Sequence, residues 1–181
     1  MTSIRSKKNN ILLTGKPGIG KTTVIKKIIE KYKKNISGFY TEEIREKGNR
    51  VGFRIKNTDG EEGLLSHIDV KSRFKVGKYA VNTNDIDKIG VDSINRALHN
   101  DEIDIIVIDE IAKMELFSEN FKNTVSSALN SSKIVVGVIQ DKNIEFLNRI
   151  RERKDVKIIC ITYQNRDEIA EDIIKIIRYN L

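Results

Sequence analysis

A glycine-rich segment between an apolar and an amphipathic stretch constrains the fold of this chain more than any other feature. Residues 15–22 match the pattern G-x-x-x-x-G-K-[ST], the Walker A motif, at every required position. Residues 10–14 before it predict a buried strand, and apolar residues recur after it at helical spacing. This order predicts a three-layer α/β fold of the P-loop type with a mainly parallel central sheet.

The residue types of this segment suit a bound phosphate chain. Glycine lets backbone N–H groups turn inward around an anion, and a helix that begins near Gly20 adds the positive end of its dipole. We expect Lys21 to act catalytically by neutralising the β and γ phosphates, Thr22 to coordinate Mg²⁺, and Thr23 to contact the α phosphate. The nucleotide-binding residues predicted here are Gly15, Lys16, Pro17, Gly18, Ile19, Gly20, Lys21, Thr22 and Thr23.

A second acidic element follows roughly 90 residues later. The apolar run at residues 105–108 ends in Asp109 and Glu110, which is the Walker B pattern with an additional Glu. Two parallel strands would present both motifs to one crevice at their carboxyl ends. Because adjacent strand residues point to opposite faces, we assign Asp109 to the metal and Glu110 to a catalytic role, orienting a water toward the γ phosphate. A helix-entry carboxylate is the alternative for Glu110.

The remaining pattern predicts a β-meander followed by alternating strands and helices over one domain, residues 1–181. The meander spans about residues 37–81, with strands at 37–42, 51–56 and 74–81. A helix follows up to Leu98, with Thr83 as its N-cap. The second half predicts strands at 104–109, 133–139 and 156–161 and helices at 118–130, 143–153 and 166–179. These strands are apolar throughout, as expected when helices cover both sheet faces.

Composition excludes several classes of protein. The longest run in the strongest apolar segment has four residues, so a membrane span is excluded, and no signal-peptide core is present. We therefore expect a cytoplasmic protein, and separately we expect a monomer. Cys160 and the histidines lack zinc-site spacing, and we expect Cys160 in the core and His99 on a helix surface. The charge of +7 suits a phosphorylated substrate or a polyanion, but no motif supports nucleic-acid binding.

Several further residues have two interpretations each. Asn165 and Arg166, with Tyr163 and Gln164, follow the last strand and are predicted to contact the base, or else Asn165 caps a helix and Arg166 is exposed.

Other charged candidates lie in the meander and near a helix end. Glu42 is a candidate for the metal surroundings, and Arg45 for pairing with it or reaching a phosphate; both could instead be surface hairpin charges. The candidates for an arginine finger, or for a solvated helix end, are Arg149, Arg151 and Arg153.

In chain order, several stretches resemble a small nucleoside-triphosphatase family of bacteria, archaea and animals, known as THEP-type or cancer-related NTPases. The resembling stretches are 38–42 with Arg45, 48–53, 76–79, 109–111, 113–117 and 165–167. The resemblance implies a RecA-like core and slow, Mg²⁺-dependent hydrolysis of several nucleoside triphosphates, namely ATP, GTP, CTP and UTP. Lys113, Met114 and Glu115 belong to this pattern without a mechanism that the residue types alone supply.

Two positions depart from the family pattern. Ala112 stands where the family usually has Gly, and Ile139-Gln140 stands where it often has Thr-His. Gln140 ends a predicted strand, where a side chain can touch the γ phosphate, so this departure bears on rate or nucleotide preference. The expected reaction is cleavage of the γ phosphate by water. The alternatives are a nucleoside or nucleotide kinase, and a nucleotide-dependent switch associated with nucleic acid.

Overall fold

Nine strands join in one sheet in the computed structural model, which describes residues 10–181. The strands are β1 (Asn10–Thr14), β2 (Ile36–Glu46), β3 (Asn49–Asn57), β4 (Glu62–His67), β5 (Lys75–Val76), β6 (Tyr79–Val81), β7 (Ile105–Ile111), β8 (Ile134–Ile139) and β9 (Val156–Cys160). The α-helices are α1 (Lys21–Lys31), α2 (Thr83–Asp85), α3 (Asp92–Leu98), α4 (Glu119–Asn130), α5 (Glu145–Arg151) and α6 (Ile169–Asn180).

The order of strands across the sheet is β5-β6-β4-β3-β2-β7-β8-β1-β9. The five strands from β2 to β9 in this order run parallel, and β3 to β6 extend the sheet as antiparallel strands from β2. The strand β8 therefore separates β1, which leads into the glycine-rich loop, from β7, which carries Asp109. All three carboxyl ends lie at the same edge of the sheet.

Two apolar cores lie on the two faces of the sheet. On β7, Ile106 and Ile108 pack with the core that includes α3, α4 and α5, whereas Ile105 and Val107 pack with the core that includes α1 and α6. The period of two residues explains this division, because successive side chains of a strand point to opposite faces. The predicted three-layer α/β fold is thus confirmed, and helices sandwich the parallel strands.

Most predicted elements are confirmed, with corrections where tertiary context decides. The meander contains β4 and a short β5–β6 hairpin that were not predicted as separate strands. The helical segment after β6 begins with α2 and continues through a π-helical turn, Ile86–Val91, into α3. Its N-cap is Asn82, whose side chain accepts a bond from the Asp85 N–H at 3.3 Å, and not Thr83.

The expectation of fully covered strands is correct for β1, β7 and β8 but wrong for β9. The residues of β8 are all buried, whereas Ile158 of β9 is 37% exposed and Cys160 is exposed. The reason is that β9 is the edge strand of the sheet formed by residues 10–181, within which it pairs with β1 alone. Cys160 is therefore not the core thiol that its apolar surroundings in the sequence predict, whereas His99 is exposed after α3, as expected.

Among residues 10–181, no helix is long and apolar enough to cross a bilayer.

Gly38 sets how closely β2 approaches β7. Its φ is +141°, and a Cβ there would clash with the Val107 carbonyl oxygen and lie 2.7 Å from the Val107 nitrogen. The two strands pair in parallel at this point, Gly38 opposite Val107. Only glycine fits both the backbone angle and the space.

We expect Gly38→Ala to lower the free energy of unfolding by about 3 kcal/mol or more, because it adds backbone strain to overpacking. Gly48→Ala is the matched control: its φ is +81° but no atom lies within 4 Å of an added Cβ. That control should lose about 1 kcal/mol, from strain alone. Chemical denaturation of both variants measures the difference, and equal losses would contradict the close approach of β2 to β7.

Candidate functional site

The glycine-rich loop is shaped by its own hydrogen bonds and by Ile161, the residue that follows β9. The Lys21 Nζ donates to the carbonyl oxygens of Gly15 at 2.8 Å and Lys16 at 3.0 Å. Gly15 has φ +145°, and a Cβ at this position would lie 2.7 Å from the Ile161 carbonyl oxygen. Gly20 caps α1, whose first bond runs from the Val24 N–H to the Gly20 oxygen at 3.1 Å. The loop thus brings the Lys21 ammonium to the N-terminus of α1, as the motif predicts.

Asp109 is a buried acid in the site whose pKa is strongly raised. It is 2% exposed at the end of β7, and its Oδ2 has no hydrogen-bond partner. Burial raises the pKa of Asp109 to about 7, and hydrogen bonding from the Thr22 side chain opposes that rise. Charges from Lys21 and Lys26 also lower the pKa, whereas the charge of Glu110 raises it. Asp109 and Thr22 therefore lie together, which joins the two motifs at one place.

Glu110 lies near Lys21 but is partly exposed. Burial raises its pKa, and the charge of Lys21 lowers it. The pairing of β7 with β8 is irregular between Ile108 and Ile111, and the Asp109–Glu110 peptide is cis. The charge of Lys21 lowers the pKa of both carboxyl groups, so both lie within reach of the loop. Their burial differs, because Asp109 is buried and Glu110 is partly exposed. No hydrogen bond or ion pair engages the Glu110 side chain among residues 10–181.

Glu115 is a third carboxyl group at this site and was not predicted there. It lies on a short 3₁₀ turn, Glu115–Phe117, is 1% exposed, and its Oε2 has no hydrogen-bond partner. Burial and the charges of Glu110 and Asp109 raise the pKa of Glu115 well above its ordinary value. The sequence signal was the family pattern at this position, but the five residues between Asp109 and Glu115 gave no reason to expect the carboxyl to return to the site.

The donor set at Thr22 and Asp109 fits a small, hard divalent cation. A hydroxyl and a carboxylate are oxygen ligands of the kind that Mg²⁺ prefers, and Mg²⁺ is commonly bound by one or two protein ligands together with phosphates and water. The buried, unpartnered Oδ2 of Asp109 supplies an oxygen without competing hydrogen bonds. No three His, Cys, Asp or Glu side chains form a metal-holding cluster in the described part of the chain. An all-protein metal cage is thus not built among those residues.

Lys26 connects this site to the meander and was also not predicted. It lies one helical turn after Thr22 on α1 and forms an ion pair with Glu42, which also binds Lys56 at 3.0 Å. These two lysines lower the pKa of Glu42, Lys26 most strongly. The spacing of four residues from Thr22 was the available signal, because residues four apart share a helix face. Arg45 pairs with Glu43 at 2.6 Å and not with Glu42.

The ion pairs of Lys26 and Glu42 extend further into the meander. Lys56 also lies 3.3 Å from Glu62, and Arg54 lies 3.5 Å from the same carboxyl. We call this set the Lys26 network; its members are Lys26, Glu42, Arg54, Lys56 and Glu62. It joins α1 to β2, β3 and β4, so helix and sheet extension are linked by charges as well as by apolar contacts.

The arginines near the end of α5 are engaged elsewhere. Arg153 donates to Asp155 at 2.7 Å and to the Leu129 oxygen at 2.9 Å, at the amino-terminal edge of the sheet and away from the loop. The finger interpretation of Arg153 is therefore wrong. Arg149 pairs with Glu145 at 2.9 Å in an exposed i,i+4 pair.

Arg151 and Gln140 form a connected group at the end of β8. Arg151 donates to the Gln140 oxygen and to the Lys142 oxygen, the latter at 3.2 Å. The Gln140 side chain accepts a bond from the Lys113 N–H at 3.2 Å. Gln140 thus lies at the expected edge of the sheet, where its side chain fixes the loop that follows β7.

The loop after β9, which starts beside the glycine-rich loop, carries an exposed aromatic ring. Tyr163 is 72% exposed, and the Arg166 guanidinium lies 5.2 Å from the centroid of its ring. Asn165 braces the loop internally: its oxygen accepts from the Thr162 N–H at 2.8 Å and its amide donates to the Cys160 oxygen at 3.0 Å. The Ile161 N–H also donates to the Thr14 oxygen at 2.8 Å, so this loop starts beside Gly15.

The sequence and the fold of this chain are similar to those of known proteins. The family model described as NTPase matches residues 10–174. This chain belongs to that NTPase family. It is 45% identical over 170 residues to nucleoside-triphosphatase THEP1 of Thermotoga sp. (strain RQ2), covering 94% of this chain and 96% of that protein.

Two solved structures of this NTPase family have the same fold. The crystal structure of THEP1 from Aquifex aeolicus is similar with a TM-score of 0.83 at 38% identity, covering 91% of this chain and 96% of that one. The solution structure of a human cancer-related nucleoside triphosphatase gives a TM-score of 0.80 at 33% identity, covering 94% and 97%. The predicted P-loop fold and family resemblance are confirmed.

The buried Asp109 makes stability depend on pH when divalent metal is removed. The folded pKa, about 7, exceeds the ordinary value of 3.8, so the fold retains a proton that the unfolded chain releases. The contribution of this proton is complete below about pH 4 and is lost as the pH rises to 7. At about 1.4 kcal/mol per pKa unit, it amounts to about 4 kcal/mol.

We therefore expect Asp109→Asn in EDTA to become more stable relative to the unmodified chain as the pH rises from 4 to 8, because its side chain cannot ionise. Thermal unfolding of both proteins across this pH range measures the difference. Added Mg²⁺ should stabilise only the chain that keeps Asp109. Parallel pH curves in EDTA would show that Asp109 ionises at no cost to the fold.

Proposed function

We propose that this chain hydrolyses nucleoside triphosphates to diphosphates and inorganic phosphate, with Mg²⁺ and with little selectivity for the base. Membership of the NTPase family supports hydrolysis, and the names of its relatives agree with it. The single observation that carries the site assignment is the meeting of Lys21 and Thr22 with Asp109 and Glu110. An ammonium, a hydroxyl and two carboxyl groups converge there from the loop and from β7.

Each residue of this group has a distinct role in the proposal. The Lys21 ammonium exchanges the carbonyl oxygens of its own loop for phosphate oxygens and neutralises charge on the β and γ phosphates. The backbone N–H groups of residues 15–23 bind the phosphate chain at the N-terminus of α1. Thr22 and Asp109 would hold Mg²⁺, which when bound offsets the charge of the β and γ phosphates.

Glu110 is the proposed general base. One proton of the attacking water passes to the Glu110 carboxylate, the water oxygen bonds to the γ phosphorus, and the bond from that phosphorus to the bridging oxygen breaks. The diphosphate leaves with the electron pair of that bond. Glu110 suits this role better than Asp109 because it is partly exposed and carries no hydrogen bond or ion pair in the described structure, so its carboxyl can turn toward water.

The proposed binding site for the nucleobase is the exposed Tyr163–Arg166 pair. Every nucleobase has a face that can stack on an aromatic ring or a guanidinium plane, so this surface accommodates all four bases. The internal bonds of Asn165 support a bracing role for that residue more than direct recognition of the base. Weak selectivity follows, because stacking does not distinguish hydrogen-bonding edges.

The kinase alternative depended on an arginine-rich lid. Its three candidate arginines are bound to Glu145, to the Gln140 oxygen and to Asp155, so no free lid of that kind occurs among residues 10–181. Water is therefore the preferred acceptor. A monomeric state and a location in the cytoplasm stay predictions, and the switch associated with nucleic acid stays an alternative that no motif supports.

The first test is phosphate release from ATP, GTP, CTP and UTP. We expect Lys21→Ala to weaken nucleotide binding and turnover together. Glu110→Gln should keep nucleotide bound while kcat falls at least about 100-fold, the low end for losing a general base. Lys27→Ala, an exposed lysine on the same helix, is the control and should match the unmodified chain. Equal rates in all four proteins would refute both assignments.

A second test concerns the binding of the nucleobase. Tyr163→Ala should raise KM for all four nucleotides by about fivefold or more, with kcat unchanged, because stacking on an aromatic ring contributes about 1–3 kcal/mol. Tyr163→Phe should retain the KM of the unmodified chain. Tyr179→Ala removes an exposed ring on α6 and serves as the control. Loss of affinity for one nucleotide alone would contradict the stacking proposal.

A further inference from the structure

The two acidic residues at the end of β7 lie in an interruption of the strand pairing. β7 pairs with β2 as far as Ile108, and its pairing with β8 is regular up to Ile108 and resumes at Ile111. The main chain of Asp109 and Glu110 therefore spans a gap between two paired residues. Whatever holds the chain just after Glu110 bears on its action, because misplacing a catalytic group by about 1 Å can cost about 10²-fold in rate.

Gln140, at the end of β8, binds the chain at two points just after this interruption. Its N–H donates to the Ile111 oxygen at 3.1 Å, and its side-chain Oε1 accepts from the Lys113 N–H at 3.2 Å. Ile111 directly follows Glu110, and Lys113 lies three residues after it. A single residue of the neighbouring strand thus fixes the segment that leads away from the proposed base.

Gln140 is itself held by the segment that follows it. Its carbonyl oxygen accepts bonds from the Arg151 guanidinium and from the Lys142 N–H, the latter at 3.0 Å. Arg151 is the last residue of α5 and also donates to the Asn148 side chain at 2.9 Å. The Gln140 side chain therefore extends from a main chain that is bonded on both sides. Support of this kind keeps a side chain in one geometry.

The amide of Gln140 has a defined orientation. A backbone N–H can bond only to the amide oxygen, so the bond from Lys113 distinguishes Oε1 from Nε2. Within residues 10–181, Nε2 has no partner. The acceptor oxygen thus makes the contact of this half-buried side chain with the loop after β7.

We propose that Gln140 is a positioning residue for hydrolysis: by binding Ile111 and Lys113 it fixes the main chain that carries Glu110, so that this base faces the attacking water. The inference rests on the proposed function and deepens it, because it names what supports the base. Gln140 acts through Glu110 and does not touch the nucleotide. The departure from the family pattern at this position then bears on rate and not on nucleotide preference.

Two substitutions separate the reach of this side chain from its amide group. Gln140→Asn keeps the amide but is one methylene shorter, so it cannot reach the Lys113 N–H. Its kcat should fall about 10- to 100-fold, with KM within twofold. Gln140→Glu keeps the length and an oxygen acceptor, and kcat should stay within about fivefold. Asp141→Asn, at the exposed next residue, is the control and should match the unmodified chain.

The experiment measures kcat and KM with Mg²⁺–ATP, together with ATP affinity by calorimetry in the slow Glu110→Gln background. Adding Gln140→Asn to Glu110→Gln should lower kcat by no more than about twofold, because the two residues act as a unit. ATP affinity should stay within twofold. A loss of ATP affinity would overturn the proposal, because Gln140 would then contact the nucleotide directly.

Two rate outcomes would also contradict this role. A normal kcat in Gln140→Asn would show that the bond to Lys113 does not support the base. A Gln140→Glu variant as slow as Gln140→Asn would show that the acceptor oxygen is not what matters. Thermal unfolding of each variant checks the fold. If Gln140→Asn does not fold, a loss of tenfold or more in Gln140→Glu refutes the inference, and a loss within fivefold supports it.

The same measurements distinguish failure of this inference from failure of the proposed function. If Glu110→Gln hydrolyses ATP at the normal rate, Glu110 is not the base and both proposals fall. If Glu110→Gln is slow but both Gln140 variants turn over normally, only the role of Gln140 falls.

Discussion

The site depends on keeping carboxyl groups out of water at the carboxyl edge of the sheet. Asp109 and Glu115 are almost fully buried, and Glu110 is partly exposed beside them. Such groups are unfavourable unless protons, cations or hydrogen bonds compensate their charge. Lys21 and Lys26 of α1 provide part of this compensation for Asp109. The rest of the architecture can be understood as holding one helix and one strand close enough for these opposite charges to meet.

The parallel half of the fold could be predicted because local and tertiary signals agree there. The run of β7 is apolar on both faces, the loop before α1 has a strict spacing, and α4 begins within one residue of its predicted start. The meander was less predictable, since β5 has two residues and β6 has three, too short for a periodic pattern. Cys160 misled for a different reason: an edge strand and a central strand can carry the same apolar residues, and only strand order distinguishes them.

The candidate site likewise contains some residues that could be predicted from the sequence and others that could not. The placement of Lys21, Thr22 and Asp109 was predictable because their positions follow from motifs whose spacing reflects one turn of structure, and their roles stay predictions. Glu115 returns to the site only because the chain folds into a 3₁₀ turn that packs against Phe74, a contact between segments about 40 residues apart in sequence. The opposite holds for Arg153. Its position near a helix end suggested that it belongs to the site, but its bonds to Asp155 and Leu129 place it at the opposite edge of the sheet. Long-range pairing decides both cases.

Under the proposed function, the two hydrogen bonds from Lys21 to its own loop bear on which anions the loop can bind. A ligand must outcompete two neutral carbonyl oxygens that are already in place, and the ammonium loses little rotational freedom in the exchange. Neutral polar molecules gain almost nothing from such a swap. Oxyanions gain more with each added charge, so under the proposed function we expect this loop to favour longer phosphate chains over shorter ones.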